Sequence, residues 1–484
     1  MRLAGRKGFF LLLAMLLPPS LHAAATPRRM LVIAPEAWHP LLANFATYKN
    51  KQLPTELRSL EGILANTPGV DDPEKLKRFL YEEWRSHQLG YALLVGNASV
   101  MPVRFMVLDR IAPKAYNFAF YPTDLYYGDL AKPNGEFDDW NANKDGYHAR
   151  YFGEVRGENN KGDAINFDQV DYLPEIAVGR WPVSTPQEAR LLATKTETYE
   201  TAVLANVNPN IHRAAFVAVG GWVDSRGLMD RLAAKLAATW QIEKRYFSDK
   251  RRESGTLPPD HKQLLALLND GLGLVVHAGH GQPDVWENCL SIPDLGRITN
   301  AAALPVVISA GCSTAYFTTL PPDEPYLDED GDEHKGSRTG ARRERAVRSL
   351  DKDGDEHKGS DRGEVFIGPP PQPSPYQRDQ SNPAGLGEQF LRRSVNGAVA
   401  YIGCNTDSEP SGLSLVEGFV SSVASRGEPR LGDCWMDAIR FYFEKEKLAD
   451  LKPNAASYPP NVFFQGMKFM VFGDPSLRLP ANRP

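Results

Sequence analysis

The sequence predicts a three-layer α/β protein in which a mostly parallel sheet lies between two layers of helices. Three observations carry this. Short aliphatic runs recur along the chain, helix-period segments separate them, and the runs are apolar at successive rather than alternate positions, as in strands buried on both faces. A chain of 484 residues, 42% hydrophobic and 24% charged, has the composition of an ordinary globular protein and can bury a large core.

Taken in order, RMLVIA (29–34) is the first strand and is followed by a helical stretch over 39–51. A second helical pattern (73–86) leads into YALLVG (91–96). EIAVGRW (175–181) feeds the amphipathic run 186–204, and AAFVAVGG (214–221) feeds the helix pattern 226–240. LGLVVHAG (272–279), LPVVISAG (304–311) and AVAYIG (398–403) complete the series. The division expected is an N-terminal subdomain over 26–207 and a second over 208–484. In parallel sheets sites form beyond the carboxyl ends of the strands, which is where HAGHG and AGC fall.

The first residues have another purpose. Arg2, Arg6 and Lys7 precede the apolar run FFLLLAMLL (9–17), then a proline pair and the small residues AAA (23–25), the layout of a secretory signal peptide over residues 1–25. The run is too short to span a bilayer comfortably and no later stretch approaches the roughly 20 apolar residues a spanning helix needs. Export to a periplasm or the exterior is expected. The formal net charge of −5, with both signs interspersed, advertises neither nucleic acid nor a membrane surface. The four cysteines, Cys289, Cys312, Cys404 and Cys434, have no CxxC spacing; a Cys404 to Cys434 disulfide is one reading of the second pair.

Two regions interrupt the alternation. DDWNANKDG (138–146) places oxygen-bearing side chains at Asp139, Asn141, Asn143 and Asp145, the every-second-residue pattern of a calcium loop, although Arg150 stands where an EF-hand has its last acidic ligand. A structural Ca2+ and a plain solvated turn both fit. The second region, 321–383, is a low-complexity insert in which DEDGDEHKGS (328–337) recurs as DKDGDEHKGS (351–360), with ARRERAVR (341–348) between the copies. It reads as a charged loop rimming whatever site Cys312 occupies. Its arginine run is either an inert insertion or an exposed, extended backbone open to proteolytic cleavage.

At the strand ends, His280-Gly281 and Gly311-Cys312 bring an imidazole and a thiol to neighbouring positions. A thiol is a nucleophile as thiolate, and an adjacent imidazole both takes its proton and later returns it to a leaving amine. The glycines permit sharp turns, and the N–H groups of Gly281 and Cys312 can face one developing oxyanion. A zinc site from His277, His280, Cys289 and Cys312 is chemically competent, but it lacks a usual ligand spacing.

The order strand-HG then strand-GC, with Trp286 six residues past the histidine, resembles the gingipain family of cysteine peptidases. So do RRMLVIAP, YALLVGN, YLPEIAVGRWPVST with its helix ending TETYE, AVGG at 218–221, and the terminal FMVFGDPSLRL, all in the family's order. The resemblance covers about residues 28–478 apart from the insert. It implies a caspase-like fold and an endopeptidase acting on proteins or peptides, with no cofactor required for catalysis. Cys312 would be the nucleophile, His280 the general acid and base, and Gly281 with Cys312 the oxyanion hole. Asp230 and Trp286 carry over as substrate-binding residues. Asp230 falls, by ungapped counting from Gly220-Gly221, where gingipains hold a basic P1 side chain. One departure stands out. Gingipains place a Glu before the Gly-Gly pair to orient the histidine, and this chain has Val219. The alternative to the enzyme is therefore a catalytically silent binding or scaffold protein of the same fold.

Overall fold

The computed structural model describes residues 28–107, 111–112, 120–142, 144, 148–149, 165–166, 168–317, 326–327, 333–334, 343–345, 364–366, 385–452 and 459–481. The expected signal segment (1–25), both copies of the acidic repeat apart from Glu333–His334, and Asn143 and Asp145 lie outside them.

Strands and helices largely alternate, and the seven strand runs read from the sequence are all present, with Thr55–Ser59 and Gln241–Tyr246 added at the two edges of the sheet. In chain order they are β1 (Arg29–Ala34), α1 (His39–Asn50), β2 (Thr55–Ser59), α2 (Asp72–His87), β3 (Leu89–Val95), β4 (Ala177–Trp181) and α3 (Pro186–Ala205). After these come β5 (Arg213–Ala218), α4 (Arg226–Leu236), β6 (Gln241–Tyr246), α5 (His261–Asp270), β7 (Leu274–Ala278) and β8 (Val306–Ser309). The last are α6 (Leu386–Arg392), β9 (Ala400–Cys404), α7 (Gly412–Ser425), α8 (Leu431–Lys445) and β10 (Phe469–Phe472).

Local chemistry sets the helix boundaries. The Asp71 carboxylate accepts the Glu74 N–H ahead of α2, Pro73 fits its first turn, and Gln88 closes it in the left-handed conformation. Thr185 and Glu188 form a reciprocal capping box at the start of α3, which Asn206 ends the same way.

The ten strands make one sheet, ordered β2-β1-β3-β4-β10-β9-β8-β7-β5-β6. Side chains alternate across it, which builds two cores. Leu31 and Ile33 of β1 join the core that takes Leu76 and Leu80 of α2, Leu232 of α4 and Phe419 of α7. Met30 and Val32 face the other, with Leu42 of α1, Leu192 of α3, Leu264 of α5 and Phe390 of α6. The result is three layers.

Every described neighbour pair in this sheet is parallel except β9 with β10. The expected boundary at 207 falls between α3 and β5, and the sheet crosses it unbroken through β10, which comes from the far end of the chain. The single antiparallel join determines where the site lies. It gathers the carboxyl ends of β5, β7, β8 and β9 and the amino end of β10 along one edge.

Of the insert, Arg343–Arg345 pairs antiparallel with Glu364–Phe366, which in turn pairs with Ile111–Ala112. The arginine run, expected as a free loop, is thus partly engaged as a strand. The disulfide reading is corrected too: all four cysteines are free thiols, Cys404 at the end of β9 and Cys434 buried within α8.

Candidate active site

β7 and β8 lie side by side in parallel, with Leu274 opposite Val306 and His277 opposite Ser309. His280 and Cys312 therefore leave the sheet from adjacent strands at the same edge. Their approach is tight. A Cβ on Gly281 would stand 2.7 Å from the Cys312 carbonyl oxygen and 3.2 Å from its nitrogen, and one on Gly311 would stand 3.4 Å from the Gly281 Cα. Glycine is required at 281 for the two turns to touch.

The turn carrying Cys312 is anchored from below. Gly311 N–H donates to Ser309 Oγ at 3.2 Å, and the buried Thr314 hydroxyl donates to the Gly311 carbonyl at 3.2 Å. Ser313 takes the left-handed conformation with φ 55° and donates its N–H to the Thr406 carbonyl at 2.7 Å. For a residue with a Cβ this is strained backbone, held by its neighbours, directly after the thiol. Among the described residues the Cys312 N–H donates to no protein acceptor.

Among the described residues no carboxylate meets the His280 ring. Its Nε2 stands 2.8 Å from the Gly221 carbonyl oxygen. A carbonyl only accepts, so Nε2 carries the proton and Nδ1 presents the lone pair of a base in the neutral ring. Gly221 reaches this position through φ +96°, a conformation favouring glycine. Val219, where gingipains carry Glu, is buried, and a Cβ on Gly279 would meet its Cβ at 2.7 Å. The orienting role expected of a carboxylate is filled by a main-chain carbonyl two residues further on.

The thiol lies against the loop after β9. Ser408 N–H donates to Cys312 Sγ at 3.3 Å. Burial pushes the thiol up from its ordinary value, the Ser408 N–H pulls it down, the charges of Asp407 and Glu409 push it up and Lys468 pulls it down. No hydrogen bond joins Cys312 to His280 among the described residues; catalytic contacts of this kind often close only around substrate.

The remaining expected residues are placed differently. Trp286, expected at the substrate surface, is fully buried. Its ring stacks on His277 with centroids 4.2 Å apart, and its Nε1–H donates to the Tyr401 hydroxyl at 3.0 Å. It supports the floor under the His280 turn and offers no surface to a substrate. Asp230, on α4, accepts from Lys244 at 2.7 Å and from Arg252 at 3.0 Å, so a substrate cation would have to displace one of them.

The zinc reading fails on geometry: no three His, Cys, Asp or Glu side chains gather as a metal site among the described residues. His277, with Nδ1 2.9 Å from Ser309 Oγ, is buried and pulled down to about 3, a neutral core residue. In the acidic loop, Asp139 is paired with Lys144 and accepts the Asn141 N–H at 3.1 Å.

Three contributors were not foreseen: the Gly221 carbonyl, the 405–409 loop, and Lys468. The first two had a signal, since AVGG and AVAYIG are also strand ends on this edge. Lys468 had none.

The comparisons agree with this architecture. The model of peptidase family C25 matches residues 23–331 and 374–480, its gap falling in the insert. No curated protein matches by sequence. Among solved structures, the complex of Porphyromonas gingivalis RgpB pro- and mature domains is similar at 16% identity and TM-score 0.59, covering 93% of this chain and 79% of that one. The Arg-specific cysteine proteinase gingipain R is similar at 15% identity and TM-score 0.59, covering 94% and 78%. At such identities the likeness shows the shared caspase-like fold. With the family model spanning most of the sequence, the chain belongs to peptidase family C25, the gingipain family of cysteine peptidases.

Proposed function

We propose that the protein is an exported cysteine endopeptidase whose nucleophile is Cys312 and whose general acid and base is His280. The observation that carries this reading is the delivery of both groups from adjacent parallel strands, with His280 Nε2 held 2.8 Å from the Gly221 carbonyl. His280 Nδ1 takes the proton from Cys312 Sγ, and the thiolate attacks the scissile carbonyl. The oxyanion is met by the N–H groups of Gly281 and Cys312. The C–N bond then breaks as the imidazolium gives its proton to the leaving nitrogen. A water molecule, deprotonated by the same imidazole, attacks the thioester; the C–S bond breaks and the thiol takes back a proton.

Substrates are proteins or peptides, and a basic P1 residue is proposed on local charge. Asp407 and Glu409 set negative potential beside Cys312, which favours an approaching guanidinium or ammonium group. Asp230 joins them only by releasing Lys244 or Arg252. Export rests on the layout of residues 1–25, and no helix among the described residues is long and apolar enough to cross a membrane.

The silent-scaffold reading rests on Val219, and the Gly221 carbonyl supplies the orientation that reading assumes is lost. A thiol-directed peptidyl probe decides between them. Labelling at Cys312 that disappears in His280→Ala is expected; wild type that resists the probe, or His280→Ala that labels equally, sinks the enzyme.

A further inference from the structure

Behind Cys312, on the side away from His280, the fold buries an amine that the reaction just described does not use. Lys468 immediately precedes β10 and is 3% exposed. Its main chain is fixed, since the Asn405 N–H donates to the Lys468 carbonyl at 2.8 Å. Among the described residues its Nζ has one hydrogen-bond acceptor, the carbonyl oxygen of Asp407 at 3.5 Å, and it lies 5.5 Å from the centroid of the Tyr121 ring.

The Asp407 carbonyl belongs to the same peptide group as the Ser408 N–H, the donor to Cys312 Sγ at 3.3 Å. Amine, peptide and thiol are thus in series. A cation on the oxygen of a peptide group draws electron density toward that oxygen and makes its N–H a stronger donor. The loop cannot drift out of this line, because the Glu409 N–H donates to Gln465 Oε1 at 3.1 Å and the Asn405 side chain donates to the Pro122 carbonyl at 2.7 Å.

We propose that Lys468 is a positioning residue that stabilises the Cys312 thiolate through the Asp407–Ser408 peptide group. The inference rests on the reading of Cys312 as the nucleophile. It supplies what that reading lacks, a cation favouring loss of the thiol proton to His280 Nδ1. The charged and titratable groups facing the pair are Asp407 and Glu409 from the loop, Cys404 from the end of β9, Tyr121 beside the amine, His280 as the base for the thiol, and Lys468 and Cys312 themselves. Burial, the larger influence, draws the amine below its ordinary value, and those anions and thiols hold it up in part. The acidic pair opposes the thiolate, so Lys468 is the one cation among these groups able to offset them.

The test is the pH dependence of Cys312 alkylation by iodoacetamide, read by peptide mass mapping on the full-length mature protein. Wild type, Lys468→Met, Lys468→Gln and Lys468→Arg are compared, with a melting curve for each. Glutamine keeps a donor for the Asp407 carbonyl and removes the charge. Both neutral variants should move the alkylation midpoint up by about one pH unit, the low end for loss of a nearby opposite charge. At neutral pH that is roughly tenfold slower alkylation. Lys468→Arg should stay near wild type.

A midpoint unmoved in the neutral variants, or moved equally in Lys468→Arg, overturns the proposal. So does failure of both neutral variants to melt as wild type does, which assigns Lys468 to the fold alone. Alkylation needs no turnover, so the two readings fail separately. Wild type that cleaves peptides with an unmoved midpoint in both neutral variants removes the relay only. Wild type that shows the expected shifts and cleaves nothing removes the peptidase only.

Discussion

Substitution of Gly281 by alanine tests the close approach of the two turns that carry His280 and Cys312. The added Cβ would stand 2.5 Å from Thr314 Cγ2, 2.7 Å from the Cys312 carbonyl oxygen and 3.2 Å from the Cys312 nitrogen. Thr314 cannot turn aside cheaply, because its hydroxyl is tied to the Gly311 carbonyl at 3.2 Å and lies 3.3 Å from Ser309 Oγ. The Cys312 main chain must therefore retreat, by about 0.7 Å if contact is to relax to an ordinary separation near 3.4 Å. A misplacement of about 1 Å costs on the order of a hundredfold in rate, so kcat/KM should fall by roughly 30- to 100-fold, mostly in kcat. Overpacking of this kind costs about 1–3 kcal/mol of stability. A domain with about 5–15 kcal/mol to spare remains folded after such a loss. Lost folding thus cannot account for a drop of that size, and a melting curve run beside the peptidase assay separates the two. Wild-type kcat/KM in Gly281→Ala, or an activity loss matched by unfolding at the assay temperature, refutes the reasoning.

Three further outcomes are expected. For P1 choice, Asp407→Asn should lower the ratio of kcat/KM on Arg and Lys substrates to that on apolar ones by about tenfold, the worth of one charge-assisted contact, a ratio in which its effect on the thiol cancels. Asp230→Asn should match it only if a substrate cation displaces Lys244 or Arg252, and cleavage after apolar residues by wild type removes the basic preference. Buried Glu388 is pushed up to about 8, chiefly by burial. A carboxyl raised in the folded state contributes stability below its unfolded value near 4.3, and that contribution is lost as pH rises toward 8. Melting curves of Glu388→Gln against wild type should therefore diverge in favour of glutamine across that interval; a constant offset contradicts the assignment. Calcium held at 139–145 would stabilise the native state by mass action, so excess chelator should lower the melting temperature, and an unchanged curve removes the ion.

Much of this architecture was legible because apolar periodicity reports burial. LVVHA and VVIS are buried at every position, and apolar at all but His277 and Ser309, because both faces of β7 and β8 are covered, and a glycine follows each within two residues. Strand direction left no such trace. FMVF reads the same whether β10 runs with or against β9, yet its antiparallel placement is what brings Lys468 to the site. Trp286 looked available to substrate because its position beyond the histidine was visible, while the His277 ring that covers it faces inward from β7. Asp230 looked free because its partners, Lys244 and Arg252, stand 14 and 22 residues away, on β6 and just past it. Val219 was read as a missing function. A backbone carbonyl has no sequence signature beyond the Gly-Gly pair that lets it point at the imidazole.

Cys312 and His280 are proposed to hydrolyse peptide bonds. A peptide-library digest read by mass spectrometry, with wild type, Cys312→Ala and His280→Ala incubated side by side, tests it most directly. New termini are expected with wild type, concentrated after Arg and Lys, and none above background with either variant. An intact library with wild type, or the same cleavages with Cys312→Ala, would contradict it.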